Sequence, residues 1–106
     1  MLNLFKQILG GGPDLKALLE DGAIIVDVRS PQEYQGGHVA GSINIPVGEI
    51  QTQVVRLQKA NKPIITCCAS GMRSASAATI LKNAGLEAVN GGPWTTVNKA
   101  QAEAAK

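Results

Sequence analysis

Residues 64–74 read IITCCASGMRS, an apolar run that passes directly into a short loop of small residues. The run Ile64–Cys67 is typical of a buried strand, and helical periodicity begins again at Ser74. Backbone N–H groups of the loop can turn toward the Cys68 sulfur, and the N-terminus of the following helix adds partial positive charge. Arg73 supplies a permanent positive charge. The pattern therefore favours a reactive thiolate at Cys68 over an ordinary buried cysteine.

The segments on either side of this loop alternate between strand-like and helical patterns. The predicted strands are Ile24–Val28, Ile43–Ile45, Ile64–Cys67 and Leu86–Val89. The predicted helices are Leu15–Glu20, a short turn over Ser30–Tyr34, one that begins at Pro46 and runs past Leu57, Ser74–Ala84, and a last one with Trp94 and Val97 on its buried side. Four rounds of strand and helix predict an α/β domain with a mostly parallel central sheet.

One domain accounts for most of the chain. Residues 1–13 are interpreted as an N-terminal arm, with the amphipathic segment Leu2–Leu9 and a Gly-rich hinge, and residues 14–106 as a single domain. The two adjacent cysteines staple no loop, which favours a reducing compartment such as the cytoplasm. The first ten residues do not read as an intact secretion signal, and the earlier removal of one is left open.

Composition argues against several functions. The net charge is only +2 and the ten basic residues are scattered, so we expect no nucleic-acid partner. The chain has one Trp, one Tyr and one Phe, too few for a platform on which bases stack. No apolar stretch approaches the length of a membrane-spanning helix. With two cysteines and one histidine we also expect no structural metal site.

Three loops are expected to meet at one edge of the predicted sheet. Cys68 follows one strand, Arg29 follows another, and Gly91–Trp94 follows the last. The carboxyl ends of parallel strands lie at the same edge, where α/β proteins gather their reactive groups. The sequence therefore predicts a pocket that combines these three loops.

Four fragments in this order resemble the single-domain rhodaneses, over about residues 14–98. They are VDVR at 26–29, EY at 33–34 with GHVAGSINIP at 37–46, CASGMRS at 68–74, and GG at 91–92 with Trp94. The resemblance implies a parallel-sheet fold with helices on both faces. It also implies an enzyme that moves sulfane sulfur, a thiosulfate sulfurtransferase, without a cofactor.

By this resemblance Cys68 is the nucleophile. It attacks a donor such as thiosulfate, keeps the outer sulfur as a persulfide and passes it to a thiol, to cyanide or to a protein cysteine. Arg73 is the second catalytic residue. The residues expected to bind the substrate are Ala69, Ser70, Gly71, Met72 and Ser74. Ser74 can either contact the sulfur or cap the helix, and both readings stay open.

The paired cysteines leave an alternative open. Counted from Cys68, the loop has the six-residue length that the resemblance associates with sulfur transfer; counted from Cys67 to Arg73 it has the longer length of related phosphatases and arsenate reductases. Strand alternation turns Cys67 away from Cys68, which favours the shorter loop. A third possibility is a rhodanese-like binding module without catalysis. By the resemblance, Ala69 stands where many relatives have a charged or polar residue, often arginine or lysine, that helps to bind thiosulfate. We therefore expect weak binding of thiosulfate and consider neutral or protein-borne persulfides as donors.

Other polar residues are interpreted as structural. Asp27 and Arg29 are expected to form an ion pair at the strand end, and His38 to be a hydrogen-bonding residue of its Gly-rich turn. Trp94 is expected to anchor the pocket edge by packing. Glu33 is interpreted as a surface residue.

Overall fold

A computed structural model describes residues 13–105 of the chain; the predicted Leu2–Leu9 arm lies outside the described residues. The strands are β1 (Ile24–Asp27), β2 (Ile43–Asn44), β3 (Ile64–Cys68) and β4 (Ala88–Pro93). The α-helices are α1 (Leu15–Glu20), α2 (Pro31–Gln35), α3 (Val54–Ala60), α4 (Met72–Asn83) and α5 (Trp94–Ala104). A 3₁₀ helix covers Val47–Gln53.

The four strands form one sheet in the order β2-β1-β3-β4. Every neighbouring pair is parallel, with Asp27 opposite Cys67 in the pairing of β1 with β3. The predicted α/β fold with a parallel sheet is confirmed. All four strands therefore end at the same edge, which is where the loop after Cys68 leaves the sheet.

Side chains of the central strand alternate between two apolar clusters, one on each face of the sheet. Ile64 and Cys68 belong to the cluster that contains Leu57 of α3 and Leu81 of α4. Ile65 and Cys67 belong to the cluster on the other face, with Val97 of α5. Helices thus cover both faces, as expected, and the two cysteines face opposite ways because strand residues alternate.

The start of the last strand differs from the predicted one. β4 begins at Ala88 rather than at Leu86. The N–H of Leu86 donates to the carbonyl of Leu81, and the N–H of Gly85 donates to the carbonyl of Lys82. These bonds complete the helix end around Gly85, whose φ is +87°. The N–H of Leu86 is therefore hydrogen-bonded to the end of the helix and does not pair with the sheet.

The helix expected after Pro46 begins as a tighter turn. Residues Val47–Gln53 are 3₁₀ and only Val54–Ala60 is α-helical. The N–H of Glu49 donates to the carbonyl of Pro46, and the hydroxyl of Thr52 donates to the carbonyl of Glu49 at 2.7 Å. Both bonds span three residues, the spacing of a 3₁₀ helix. The predicted apolar face nevertheless packs as expected, with Ile50, Val54 and Leu57 buried.

A buried ion pair braces the carboxyl edge of the sheet. The Arg29 guanidinium donates to both carboxylate oxygens of Asp27 at 2.7–3.0 Å and to the carbonyl of Gly37 at 2.7 Å. Its carbon also lies 5.0 Å from the ring centroid of Trp94. This pair joins β1 to the loop before β2 and to the start of α5.

None of the helices between residues 13 and 105 has the length and the apolar character that a membrane-spanning segment needs.

Candidate active site

Cys68 is the last residue of β3 and its sulfur is held by the loop that follows. The N–H of Gly71 donates to the sulfur at 3.0 Å, and the hydroxyl of Ser74 lies 3.3 Å from it. Cys68 has no exposed surface. The sulfur is therefore enclosed by the loop and the first turn of α4.

Two opposing effects set the pKa of Cys68. Burial raises the pKa, but hydrogen bonds from the Ser74 hydroxyl and from the backbone N–H groups of Ser74, Gly71 and Ser70 lower it by more. The net result is a pKa below the ordinary value of a cysteine thiol. Donors that point at the charged form stabilise that form, so this loop stabilises the thiolate of Cys68.

Glycine is required at position 71. Gly71 has φ +100°, in the left-handed region, immediately before the first residue of α4. A Cβ there would lie 3.2 Å from the Cα of Gly92. This backbone turn directs the Gly71 N–H at the Cys68 sulfur. The conformation of one residue therefore positions a hydrogen-bond donor to that sulfur.

Ser74 faces the sulfur and does not cap the helix. It is the third residue of α4. The N-cap position of this helix is Gly71, and no side-chain hydrogen bond caps this helix end. Its hydroxyl is buried and donates to the side-chain oxygen of Asn90 at 2.7 Å. Asn90 in turn donates from its amide nitrogen to the carbonyl of Gly71 at 3.1 Å and accepts from the N–H of Gly92 at 2.9 Å. Asn90 therefore ties the sulfur loop to β4.

Arg73 is paired with a carboxylate on a different element. Its two terminal nitrogens donate to the two carboxylate oxygens of Glu33 at 2.8 and 3.0 Å. The hydrogen bonds from Arg73 hold the pKa of Glu33 at about 2. Both side chains are nearly 40% exposed. The positive charge expected to serve Cys68 is thus shared with Glu33, which joins α2 to the start of α4.

The remaining loop residues form the outer surface of the site. Ala69 and Ser70 are exposed, and Met72 is 78% exposed. Their side chains carry no charge. The rim of the site is consequently small and uncharged at its tip and apolar at Met72.

Cys67 lies on the opposite face of the sheet from this site. It is fully buried against Ile25, Ile65 and Val97. Burial raises the pKa of its thiol to about 12, with a further contribution from the charge of Asp27. A neutral thiol in an apolar cluster is a poor nucleophile, so the longer Cys67-to-Arg73 loop has no nucleophile at the pocket.

The other expected loops do converge on this edge of the sheet. Arg29 and Trp94 are in contact through the cation–π geometry described above, and Gly92 lies against Gly71. His38 stacks on the ring of Tyr34 at 3.8 Å and its Nδ1 lies 2.8 Å from the Tyr34 carbonyl. No group of three His, Cys, Asp or Glu side chains within the described range lies close enough to hold a metal ion.

Sequence reasoning overlooked two residues of this site, Glu33 and Asn90. Glu33 lies at the surface as predicted, with its side chain 38% exposed, but it also forms a capping box with Ser30 at the start of α2, and its carboxylate reaches Arg73. The spacing Ser-Pro-Gln-Glu at 30–33 signals that box. Asn90, a polar residue at the end of a predicted strand and beside two glycines, offered a weaker signal.

The model of the rhodanese-like domain family matches residues 13–92. Thiosulfate sulfurtransferase GlpE of Pseudomonas syringae is 35% identical over 70% of this chain and 69% of its own length. A solved structure described as rhodanese with anions from E. coli has a TM-score of 0.65 at 31% identity, covering 71% of this chain and 91% of that one.

Other curated relatives are longer proteins. The chain is 31% identical to the tRNA sulfurtransferase of Thermoplasma acidophilum over 70% of its own length, but spans only 15% of that protein. It spans 49% and 43% of two Bacillus subtilis relatives. The match to the family model covers most of the chain and several relatives are sulfurtransferases. This chain belongs to the rhodanese-like domain family.

Proposed function

We propose that this protein is a sulfurtransferase that carries sulfane sulfur on Cys68. The donor is a small sulfur compound such as thiosulfate or a persulfide, and the acceptor is a thiol, cyanide or a protein cysteine. The observation that carries the proposal is the Cys68 sulfur within hydrogen-bonding distance of the Gly71 N–H and the Ser74 hydroxyl. Sulfurtransferase relatives support it at the level of the family.

The chemistry needs a nucleophilic sulfur and a place for negative charge. The Cys68 thiolate attacks the outer sulfur of the donor, the donor's S–S bond breaks, and its electron pair leaves with sulfite or a thiolate. The persulfide that forms carries its charge on the outer sulfur, close to the N–H groups of the same loop. A thiophilic acceptor then attacks that outer sulfur and releases the Cys68 thiolate. The cycle requires a reduced thiol at its start, and we propose the cytoplasm as the location.

The test is the intact mass of the protein after incubation with thiosulfate. We expect the mass to rise by one sulfur atom and to return when cyanide is added. Cys68→Ser should abolish the increase, while Cys67→Ser should retain most of it because that side chain packs in the apolar cluster on the other face. Equal loss in both variants would contradict the assignment of the nucleophile.

The same preparation distinguishes the two alternatives. Release of phosphate from an aryl phosphate, with no uptake of sulfur, would indicate a phosphatase. Absence of both activities in a folded protein would indicate a binding module.

A further inference from the structure

The charges around Cys68 limit the kind of donor that suits this site. Among residues 69–73 the sequence places a single basic residue, Arg73. Its guanidinium makes two hydrogen bonds to the Glu33 carboxylate, which uses the fork of donors that a sulfonate group would need. The formal charges of Arg73 and Glu33 cancel. The second pair at this edge, Arg29 with Asp27, is also neutral overall.

The loop itself offers little more to an anion. The N–H of Gly71 donates to the Cys68 sulfur at 3.0 Å, and the N–H groups of Ser70 and Ser74 also lower the pKa of Cys68. They compensate the single negative charge of the thiolate. Ala69 and Met72 add no charge or hydrogen-bonding side chain at the rim.

Enclosure of the sulfur makes this shortage of positive charge important. Cys68 has no exposed surface, so a donor must lose water to reach it. Loss of water is much more costly for an ion with two negative charges than for an ion with one. A second anionic group also meets the negative thiolate. The two guanidinium groups at this edge, those of Arg29 and Arg73, are already paired with carboxylates and offset that repulsion little.

From these observations we infer that Cys68 takes sulfur from donors with at most one negative charge, such as persulfides and thiosulfonates, in preference to the thiosulfate dianion. The inference rests on the proposed sulfurtransferase function. With a thiosulfonate, the thiolate attacks the outer sulfur, the S–S bond breaks and its electron pair leaves on the sulfinate. The persulfide formed on Cys68 is the same as the one formed from thiosulfate.

The test compares thiosulfate with methanethiosulfonate, in which a methyl group replaces one charged oxygen. The rate of persulfide formation on Cys68 is followed by intact mass, and each rate is divided by the rate of the same donor with free cysteine. We expect the normalised rate for methanethiosulfonate to be greater by about tenfold or more. A ratio of one or less would overturn the inference.

Two variants make the charge at the site more positive and so should favour thiosulfate. Glu33→Gln removes the negative charge that pairs with Arg73, while the amide oxygen can still accept the capping-box hydrogen bond from the Ser30 N–H. Ala69→Lys adds a positive charge at the rim of the site. Each should raise the thiosulfate rate by roughly threefold and narrow the difference between donors. Ala69→Lys leaves the Arg73 pair intact, so it remains informative if Glu33→Gln folds poorly. An unchanged ratio in both variants would also overturn the inference.

A matched control separates local from general charge effects. Glu87→Gln removes the same charge beside the first residue of β3, at the opposite end of that strand from Cys68, and should leave the ratio unchanged. Absence of sulfur uptake from either donor would instead contradict the sulfurtransferase function itself.

Discussion

The Ser74 hydroxyl has one proton and two possible acceptors. In the structure the proton goes to the side-chain oxygen of Asn90 at 2.7 Å, while the Cys68 sulfur lies 3.3 Å away. A hydroxyl can donate only once. When Cys68 is a thiol, its S–H can donate to Ser74. When it is a thiolate, the Ser74 hydroxyl can donate to the sulfur only if its proton turns away from Asn90. Asn90 therefore competes with the sulfur for this hydrogen bond.

This competition predicts the effect of Asn90→Asp. A carboxylate holds the Ser74 proton more strongly and places negative charge near the sulfur, so the pKa of Cys68 should rise. Alkylation by iodoacetamide should become slower at pH 7 by about fivefold, and the increase of its rate with pH should shift to higher pH. Mass spectrometry of the alkylated protein measures both.

The control for this prediction is Asn83→Asp. Asn83 is the last residue of α4, the helix that begins beside the sulfur. Its substitution therefore makes the same chemical change at the far end of that helix. It should leave the alkylation profile where the wild-type protein has it. A normal profile for Asn90→Asp would show that Asn90 does not influence the thiol.

At the scale of elements, the short helix α2 owes its position to its ends. Ser30 and Glu33 exchange hydrogen bonds with each other's backbone N–H groups, and Pro31 occupies the first turn. The Arg29 guanidinium donates to the Glu33 carbonyl at 3.3 Å, while the Glu33 carboxylate pairs with Arg73. A helix of five residues is thereby fixed between β1 and the sulfur loop, although it buries no residue completely.

The Glu33–Arg73 pair predicts a pH-dependent contribution to stability. The pKa of Glu33 falls from an ordinary 4.5 to about 2 in the folded protein. A carboxylate with a lowered pKa stabilises the fold above its unfolded pKa, and this stabilisation is lost as the pH falls through the folded value. Glu33→Gln should therefore melt at a lower temperature than the wild type at pH 6. The difference should disappear between about pH 4.5 and pH 2.

Thermal unfolding followed by circular dichroism at several pH values measures this difference. Glu87→Gln again serves as the control, because Glu87 forms no ion pair in the part of the chain that the structure describes. A gap between Glu33→Gln and the wild type that stays constant down to pH 2 would argue against the pair as its source.

At the scale of the whole molecule, the close approach of β4, β3 and α5 depends on Gly91. A Cβ at this position would lie 2.6 Å from a methyl carbon of Val97, 2.7 Å from one of Ile65 and 2.9 Å from the carbonyl oxygen of Thr66. Ile65 and Thr66 of the strand and Val97 of the helix are fully buried. The absence of a side chain here lets the sheet and the last helix pack together.

Gly91→Ala should consequently destabilise the fold through overpacking, by about 2–3 kcal/mol. For a domain of this size that lowers the melting temperature by roughly 10 °C or more. Gly48→Ala is the matched control, because a Cβ at Gly48 meets nothing within 4 Å, and its melting temperature should stay close to that of the wild type. Similar melting temperatures for Gly91→Ala and the wild type would show that the packing can adapt.

The periodicity of the sequence determined the strands, the parallel sheet and the position of Cys68 at a strand end. These features follow from local patterns: apolar runs form strands, and neighbouring strand residues point in opposite directions. The same rule was sufficient to place Cys67 in the core. The short loop of small residues after Cys68 predicted that backbone N–H groups turn toward the sulfur.

Only the tertiary structure decided which groups meet at that sulfur. Glu33 is 40 residues from Arg73 and Asn90 is 16 residues from Ser74, and no local pattern encodes contacts between such distant positions. The packing of α2 and β4 against the loop brings them together. For this reason the sequence predicted Cys68 as the nucleophile and, from Ala69, weak binding of thiosulfate, whereas the pairing that neutralises Arg73 emerged only from the fold.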